Sequence, residues 1–214
     1  MMMENVGKID NYKVIPLTSD LVERAAWTCT RAFKDDPEIV YLIPDSKKRE
    51  NLRFSFAHFL QKGVKRGSGV YITSPLCEGV SIWYHSRSQP DQSLLLSYNP
   101  MPALRCGWKY FWNQIRSLGF VEKLRKQYAP HPHLYLAILA VDPAYQGKGF
   151  ASRLLRAYLQ DLEKENLPGY IETQNMKNVN MYRRFGFELV HEVVSPYTGY
   201  PTYLMVRPAR SDME

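Results

Sequence analysis

Residues 133–187 read HLYLAILAVDPAYQGKGFASRLLRAYLQDLEKENLPGYIETQNMKNVNMYRRFGF, and this stretch has the clearest pattern in the chain. The apolar run at 134–141 predicts a buried strand, and the run at 170–173 predicts a second one. Between them, the turn Asp142-Pro143 leads into a polar loop, residues 146–149, which opens directly into a helix pattern. We therefore predict a strand–loop–helix–strand unit.

The helix in this unit has apolar residues three and four positions apart, which predicts one buried stripe. The stripe consists of Ala151, Leu154, Leu155, Tyr158, Leu159 and Leu162. Pro168-Gly169 is expected to end the helix. A stripe of this size holds the helix flat on a sheet, so its N-terminus lies beside the end of the preceding strand. Such connections join parallel strands through a right-handed crossover.

The loop before the helix has the properties of an anion-binding site. Gly147 and Gly149 carry no side chains that would cover the neighbouring backbone N–H groups, so a ligand can approach the chain closely. The first N–H groups of a helix have no partners within it, and the helix dipole favours negative charge there. We predict that a pyrophosphate binds at this loop.

Two familiar phosphate loops fit this sequence poorly. A P-loop requires a glycine where Asp142 stands and a Ser or Thr where Gly149 stands. A dinucleotide-binding fingerprint fits better, because Gly147 and Gly149 supply its first two glycines and Glu172 ends the next strand at a suitable distance for a ribose hydroxyl. However, Ser152 stands in place of the third glycine, and only one strand–helix–strand unit is present.

The loop sequence QGKGFA, residues 146–151, resembles the acetyl-CoA loop of the GNAT N-acetyltransferase family, whose motif is Gln/Arg-x-x-Gly-x-Gly/Ala. The resemblance continues in Asn178, Tyr182 and Gly186-Phe187, which are similar to the asparagine–tyrosine element of that family. Glu172-Thr173 and the spacing after it look most like the puromycin-acetyltransferase-type branch. Two elements in this order and context make the resemblance specific.

The resemblance implies an α/β (α+β) fold with a central mixed, mostly antiparallel twisted sheet of about six or seven strands and helices on both faces. Two central parallel strands splay apart, and the pantetheine of acetyl-CoA lies in the gap like an added strand. Acetyl-CoA or coenzyme A is then the co-substrate, and no metal is expected. The residues implied to bind it are Leu139, Ala140, Val141, Gln146, Gly147, Lys148, Gly149, Phe150, Ala151, Ser152, Asn178 and Tyr182.

The resemblance also implies catalytic roles. Tyr182 is similar to the residue near the cofactor sulfur, where a phenol supplies a proton to the departing thiolate as general acid. An acceptor amine must lose a proton before it attacks, and Glu172 is the candidate base, with His133 as the alternative. Tyr135 either lines the acceptor pocket or packs in the core, and Asn178 is also a candidate helix N-cap.

Elements on either side complete the predicted sheet. The upstream predictions are a strand at 12–17, a helix at about 21–33 stopped by Asp36-Pro37, a turn at 41–45, a helix at 47–65 ended by Gly67 and Gly69, and a β-hairpin formed by 70–73 and 79–84. The downstream predictions are two closing strands at 188–194 and 202–206.

Residues 86–132 separate the hairpin from the central strand and are unusually long for a connection. They open with a polar loop at 86–92 and continue with an aromatic-rich pattern at about 103–127, which predicts one long helix or two short ones. We predict a wall or lid over the acceptor pocket, with simple packing on the sheet as the alternative. The chain at 1–214 then reads as one acetyltransferase domain with a helical insertion at about 86–132.

Composition narrows the class of protein. The 214 residues are 45% apolar, enough for a core, and no segment is apolar enough to predict a membrane span or a secretory signal. Three widely spaced cysteines predict reduced thiols in a cytoplasmic protein. The net charge of +7 fits a phosphate-rich cofactor, while the absence of a nucleic-acid motif argues against a nucleic-acid partner. A monomer and a homodimer both remain open.

The leading hypothesis is an acetyl-CoA-dependent N-acetyltransferase that acts on the primary amine of a small molecule, by direct attack in a ternary complex with Tyr182 as general acid. A non-catalytic acyl-CoA-binding or interaction module is the alternative from another class, because a fold by itself does not establish activity. Protein N-acetylation is the third hypothesis. The aromatic residues of the insertion favour a small, partly apolar acceptor.

Overall fold

A mixed sheet forms the frame of the molecule, whose computed structural model describes residues 13–66, 69–86 and 104–212. The seven strands are β1 (Ile15–Pro16), β2 (Gly69–Ile72), β3 (Gly79–His85), β4 (Leu134–Val141), β5 (Gly169–Thr173), β6 (Glu188–Val194) and β7 (Pro201–Arg207). Their order in the sheet is β1-β2-β3-β4-β5-β7-β6. Only β4 and β5 pair in parallel among them. This confirms the predicted mixed, mostly antiparallel sheet with one parallel pair.

The parallel pair separates partway along its length. Leu134 pairs with Gly169 and Leu136 with Ile171, but no pairing between β4 and β5 follows within the described residues, although both strands continue. We call the point after Leu136 and Ile171 the fork, and the space beyond it the gap. The predicted splayed pair is therefore present.

A bulge in β4 lies at the fork. Ile82 pairs with Ile138, whereas the next residue of β3, Trp83, pairs with Leu136, so Ala137 is an extra residue in β4. Ala137 and Ile138 consequently both contribute to the same cavity, described below. The bulge bends β4 where it leaves β5.

Helices cover both faces of the sheet, as predicted. They are α1 (Val22–Phe33), α2 (Pro37–Leu42), α3 (Ser46–Arg49), α4 (Leu52–Lys65), α5 (Trp108–Tyr128), α6 (Phe150–Glu165) and α7 (Met176–Arg183). One face carries α6 and α7, and we call it the donor face; the other carries α1, α4 and α5, and we call it the acceptor face. The sheet between them therefore separates two sets of side chains.

The stripe on α6 forms the core of the donor face. Leu154, Leu155 and Tyr158 are fully buried, and the Tyr158 hydroxyl donates to the backbone oxygen of Leu134 at 2.6 Å. Burying each large apolar side chain contributes about 1.5–3 kcal/mol relative to exposure. This packing fixes the start of α6 next to the end of β4.

On the acceptor face, α1 packs against β2 and β3. Ala25, Ala26 and Cys29 on α1 are fully buried, and such small side chains let the helix lie near the strands. Phe33 of α1 stacks on Phe56 of α4 with ring centroids 5.6 Å apart. The two helices thereby form a fixed wall beside the fork.

Several predicted boundaries differ from the structure. Pro37 begins α2, capped by the Asp36 side chain, because proline suits a first helical turn, so the predicted turn at 41–45 is partly helical. The predicted helix at 47–65 is interrupted between α3 and α4. Asn166, in the left-handed conformation, ends α6 before Pro168. The chain between 108 and 128 is one helix that contains Gly119, which settles the alternative left open.

Some predictions fall partly or wholly outside the described ranges. These are the start of the first strand at Tyr12, the role of Gly67 and most of the polar loop at 86–92.

Candidate active site

The loop between β4 and α6 has an open backbone. Gly147 and Gly149 have φ values of +76° and +87°, a conformation that side-chain-bearing residues adopt only with strain. A Cβ atom placed on either glycine would meet no atom within 4 Å among the described residues. The loop therefore leaves room for a ligand directly against its main chain.

Backbone N–H groups point out of this loop without partners. Within the described part of the chain, the amides from Gly147 to Ser152 have no hydrogen-bond acceptor, and the first helical bond at this end runs from the Arg153 amide to Gly149. The positive end of the helix dipole adds to these donors. A pyrophosphate fits such a site, because it offers several acceptor oxygens and negative charge.

Side chains hold the loop in place. Asp142 is buried, accepts the Ala144 amide at 3.0 Å and pairs with Arg31 of α1 at 2.6 Å. Gln146 donates from Nε2 to the backbone oxygen of Val141 at 3.1 Å. The predicted loop glutamine thus fastens the loop to the end of β4.

The edge of β4 beyond the fork turns backbone groups towards the gap, and among these the Val141 oxygen accepts from Gln146. The Asp142 amide donates to the Glu78 backbone oxygen across the β3–β4 pair. In an antiparallel pair, successive residues turn their backbone groups alternately towards and away from the partner strand. The backbone groups of Ala140 therefore point towards β3, and those of Leu139 and Val141 point away from it. Of the three predicted strand residues, Leu139 and Val141 therefore face the gap with their backbone, whereas Ala140 faces Val80.

The remaining loop residues differ in position. Lys148 is exposed and donates from Nζ to the Ala144 oxygen at 3.0 Å. The Phe150 ring meets the Tyr145 ring edge-on at 5.8 Å. Ala151 and Ser152 are half-buried in the first turn of α6. Their amides, rather than their side chains, belong to the donor set described above.

The asparagine of the second motif is not the helix cap. Asn175 caps α7 by accepting the Lys177 amide at 2.9 Å, so the interpretation of Asn178 as N-cap is wrong. Asn178 instead donates from Nδ2 to Thr173 Oγ1 at 3.2 Å, at the end of β5. It ties the start of α7 to the strand that forms the far side of the gap.

Tyr182 lies on the donor face. It is buried in the same cluster as Leu155, Ile171 and Val179, and its ring centroid is 6.0 Å from that of Phe187. Burial raises the pKa of the Tyr182 hydroxyl, so the phenol stays protonated at neutral pH. It is thus a neutral proton donor.

Glu172 lies on the acceptor face, just beyond the fork. Its Oε2 atom accepts a hydrogen bond from the Tyr135 hydroxyl at 2.7 Å. Arg125 of α5 lies over the Tyr135 ring, with its Cζ atom 4.5 Å from the ring centroid. Burial raises the pKa of Glu172, while the charge of Arg125 and the Tyr135 hydrogen bond oppose that rise.

His133, the alternative base, has a structural environment. Its Nδ1 lies 2.6 Å from the Pro130 oxygen, which fixes a neutral ring that donates there. Burial, together with the positive charge of Arg125, lowers the pKa of His133 to about 4. It is not among the residues that line the cavity next to the fork.

This environment predicts a stability that falls in acid. Because His133 titrates at about 4 in the folded protein and near 6.5 when unfolded, the unfolded chain binds an extra proton between these values. Stability therefore decreases as pH falls through that window, by at most about 3 kcal/mol from this residue. Urea unfolding between pH 7 and 4 should show a shallower dependence in His133→Asn, which keeps a donor near Pro130; an unchanged slope would contradict the assignment.

A cavity of about 320 Å³ opens on the acceptor face and reaches the fork. Its described lining consists of Phe33, Ile39, Ser55, Phe56, His58, Phe59, Lys62, Tyr84, Tyr110, Gln114, Leu118, Tyr135, Ala137 and Ile138. Helix α5 supplies three of these residues at four-residue spacing, so it forms one wall of the cavity. None of the described lining residues is Asp or Glu.

Sequence reasoning missed most of this lining. Phe56 and Phe59 lie in the helix predicted at 47–65, and Tyr110 lies in the predicted aromatic-rich pattern, but the sequence does not predict that these side chains share a cavity. The signal in the sequence for such a cavity was the large number of aromatic side chains in both helix patterns, which is more than packing on one face of a sheet requires. Which of these aromatics face each other depends on how the helices cross, and one sequence does not specify that.

The cysteines have no catalytic surroundings. Cys29, Cys77 and Cys106 are buried free thiols, and burial raises the pKa of Cys77 to about 11 and that of Cys106 to about 12. Across the described ranges, no three metal-binding side chains converge on one point, and no helix has the length and apolar character needed to cross a membrane.

The part of the chain that contains both motifs matches a known protein family. The model of the acetyltransferase (GNAT) family matches residues 105–187, which include the loop and the second motif. An uncharacterized N-acetyltransferase of Schizosaccharomyces pombe is 25% identical over 175 residues, which cover 77% of this chain and 70% of that protein.

Solved structures share the fold across most of the chain. A Corynebacterium glutamicum protein described as histone acetyltransferase HPA2 and related acetyltransferase superposes with a TM-score of 0.60 at 20% identity, covering 92% of this chain and 96% of its own. A mosquito arylalkylamine N-acetyltransferase like 5b superposes with a TM-score of 0.62 at 17% identity, covering 91% and 97%. The predicted acetyltransferase fold is therefore confirmed.

Proposed function

We propose that this chain, whose family match and fold support a place in the GNAT acetyltransferase family, moves an acetyl group from acetyl-CoA to the primary amine of a small, largely apolar acceptor. The observation that carries this proposal is the separation of β4 from β5 at the fork. The apolar cavity reaches the fork, the unpaired edge of β4 runs on from it, and the loop with the unpaired amides follows the end of β4. When bound, acetyl-CoA supplies an acetyl thioester that a neutral amine attacks.

The donor site consists mainly of backbone groups. The amides from Gly147 to Ser152 would hold the pyrophosphate, and the gap-facing backbone groups of Leu139, with the Val141 amide, would hold the pantetheine amides. Hydrogen bonds to a charged group contribute about 1.5–3 kcal/mol each, so the affinity is shared over many contacts. Because Ala140 turns its backbone to β3, we assign it to the strand rather than to the ligand.

The acid and the base lie on opposite faces of the sheet. Tyr182 is on the donor face, where it would supply a proton to the departing sulfur, and Glu172 is on the acceptor face, where it would take a proton from the amine. Such a separation keeps the acid from neutralising the base directly. It also matches a reaction in which the nucleophile arrives from one side and the leaving group departs towards the other.

The cavity favours an apolar acceptor over a polycationic one. Most of its described lining is aromatic or aliphatic, and the polar residues in it, which are Ser55, His58, Lys62 and Gln114, offer no carboxylate that would bind a second ammonium group. A buried positive charge without such a partner costs several kcal/mol. We therefore favour a small amine with an apolar body over a polyamine, and over a peptide, whose backbone needs polar partners.

The wider organisation follows from this proposal. Residues 86–132 are an insertion into a single acetyltransferase domain at 1–214, and α5 within it closes one side of the acceptor site. The closeness to the puromycin-acetyltransferase-type branch, the cytoplasmic location and the choice between monomer and homodimer remain predictions from the sequence.

Calorimetry with coenzyme A and thiol release across an amine panel test the proposal together. We expect coenzyme A to bind, and we expect phenylethylamine to be acetylated faster than spermidine or an alanyl tripeptide. Binding of coenzyme A without turnover of any amine would favour a non-catalytic acyl-CoA-binding module. Faster turnover of the tripeptide would favour protein acetylation instead.

A further inference from the structure

We infer that Tyr135 is the group that contacts the acceptor amine, and that it relays the amine's proton to Glu172 behind it. This inference rests on the proposed acetyl transfer and specifies how its acceptor site works. Neither the loop motif nor the asparagine–tyrosine element includes Tyr135.

The order of the two side chains along the acceptor face supports the relay. Tyr135 lines the cavity, whereas Glu172 is not among the described lining residues. The Tyr135 hydroxyl donates to Glu172 Oε2 at 2.7 Å, so the phenol lies between the cavity and the carboxylate. An amine in the cavity therefore meets the phenol oxygen before it meets the base.

The neighbouring groups hold this pair in one arrangement. The Tyr84 ring from β3 meets the Tyr135 ring edge-on at 5.6 Å, and the Tyr170 ring of β5 lies tilted at 5.9 Å. Arg125 from α5 covers the other side of the Tyr135 ring. With so little freedom, the phenol cannot turn away from Glu172 without repacking the wall of the cavity.

Opposing effects act on the pKa of Glu172, because burial raises it and the charge of Arg125 lowers it, so that the carboxylate can take up a proton and release it again. The charged or titratable groups that act on it are Arg125 of α5, Tyr135 of β4 and Tyr170 of β5, while Tyr84 of β3 acts on Arg125 and Tyr135. Glu172 Oε1 makes no hydrogen bond of normal geometry among the described residues, and the nearby Tyr170 hydroxyl acts to lower the pKa of Glu172. Arg125 favours the ionised carboxylate before an ammonium group arrives.

The proton balance of the relay is simple. One N–H bond of the ammonium breaks as its proton moves to the Tyr135 oxygen, while the Tyr135 proton moves to Glu172 Oε2. The products of this step are a neutral amine, a neutral Glu172 and an unchanged phenol. During attack on the thioester the nitrogen loses a second proton to solvent, while the departing sulfur gains the Tyr182 proton, which solvent then replaces. Glu172 afterwards releases its proton to solvent, so that one ammonium and one thioester give one amide, one thiol and one proton.

The rate test compares the pH dependence of kcat/KM for phenylethylamine in Tyr135→Phe, Glu172→Gln and the control Tyr158→Phe. We expect both relay variants to lose about 100-fold at neutral pH, because the reaction must then wait for free amine from solution. The loss should shrink as pH approaches about 10, the pKa of an alkyl ammonium. Tyr158→Phe removes a buried hydroxyl on the opposite, donor face of the sheet, and it should keep the wild-type profile.

A second measurement uses the protein without a donor. The carboxyl carbon of Glu172, labelled with ¹³C and assigned by its absence in Glu172→Gln, should shift when phenylethylamine is added to wild type and to Tyr158→Phe. In Tyr135→Phe that response should be lost. A wild-type pH profile in Tyr135→Phe, or an equal carboxyl response in that variant, overturns the relay. Failure of the proposed function looks different, because wild type would then take up no coenzyme A or acetylate no amine.

Discussion

Replacing Tyr182 with Phe should lower kcat by about 100-fold or more, because the departing thiolate loses the neutral group that protonates it. The ring remains, so its packing against Phe187 and the rest of the donor-face cluster is preserved. The affinity for coenzyme A, measured by calorimetry, should change by less than about threefold. The loss should persist at every pH tested, since burial keeps this phenol protonated throughout.

Tyr158→Phe is the matched control for this prediction. Tyr158 is equally buried in the same cluster, but its hydroxyl is occupied by the backbone oxygen of Leu134 at 2.6 Å. Removing that hydroxyl should cost about 1 kcal/mol of stability and leave turnover below the unfolding range unchanged. Equal turnover in Tyr182→Phe and wild type would remove the acid role from Tyr182 and leave it as a core residue.

The sequence predicts the strand–loop–helix–strand unit well because its signals are local. The helical spacing of Leu154, Leu155 and Tyr158 specifies the buried face of α6. The glycines at 147 and 149 specify a turn with positive φ, which other residues adopt only with strain. Each signal lies within a few residues of the feature that it predicts. The sheet order is less local, because β5 pairs with β7 instead of β6, and the neighbours β3 and β4 are joined by the long insertion.

The acceptor site is harder to predict because its parts are distant in sequence. The hydrogen bond between Tyr135 and Glu172 joins residues on neighbouring strands, and whether a strand tyrosine lines a pocket or packs depends on what lies above it. Arg125 reaches the same cluster from a helix in the insertion. The bulge at Ala137, which brings two successive residues to the cavity, leaves no mark in the composition of β4.

The cap of α7 shows a related difficulty. The chain offers Asn175 and Asn178 three positions apart, and either is a suitable N-cap by residue type. The structure begins the helix at Met176, so Asn175 caps it and Asn178 is left to reach Thr173. A sequence pattern does not specify the first residue of a helix, and the N-cap role depends on that residue.

Gly149→Val should weaken coenzyme A binding by about 100-fold, which corresponds to roughly 2.7 kcal/mol. A β-branched residue resists the φ of +87° found here, so the loop would turn its amides away from the phosphate positions. Gly199→Val is the matched control, because Gly199 has a φ of +76° and equally open surroundings but lies between β6 and β7. Both variants should lose about 1–2 kcal/mol of stability, and only Gly149→Val should lose affinity.

A fragment of the donor separates the loop from the strand edge. S-acetylpantetheine lacks the pyrophosphate, so its weak binding depends on the gap edge at Leu139 and Val141 and not on the loop amides. Its affinity, measured by competition in wild type and Gly149→Val, should be the same within about threefold, while that of coenzyme A falls. If both ligands weaken equally, the substitution has distorted β4 as well as the loop; if neither weakens, the loop amides do not hold the pyrophosphate.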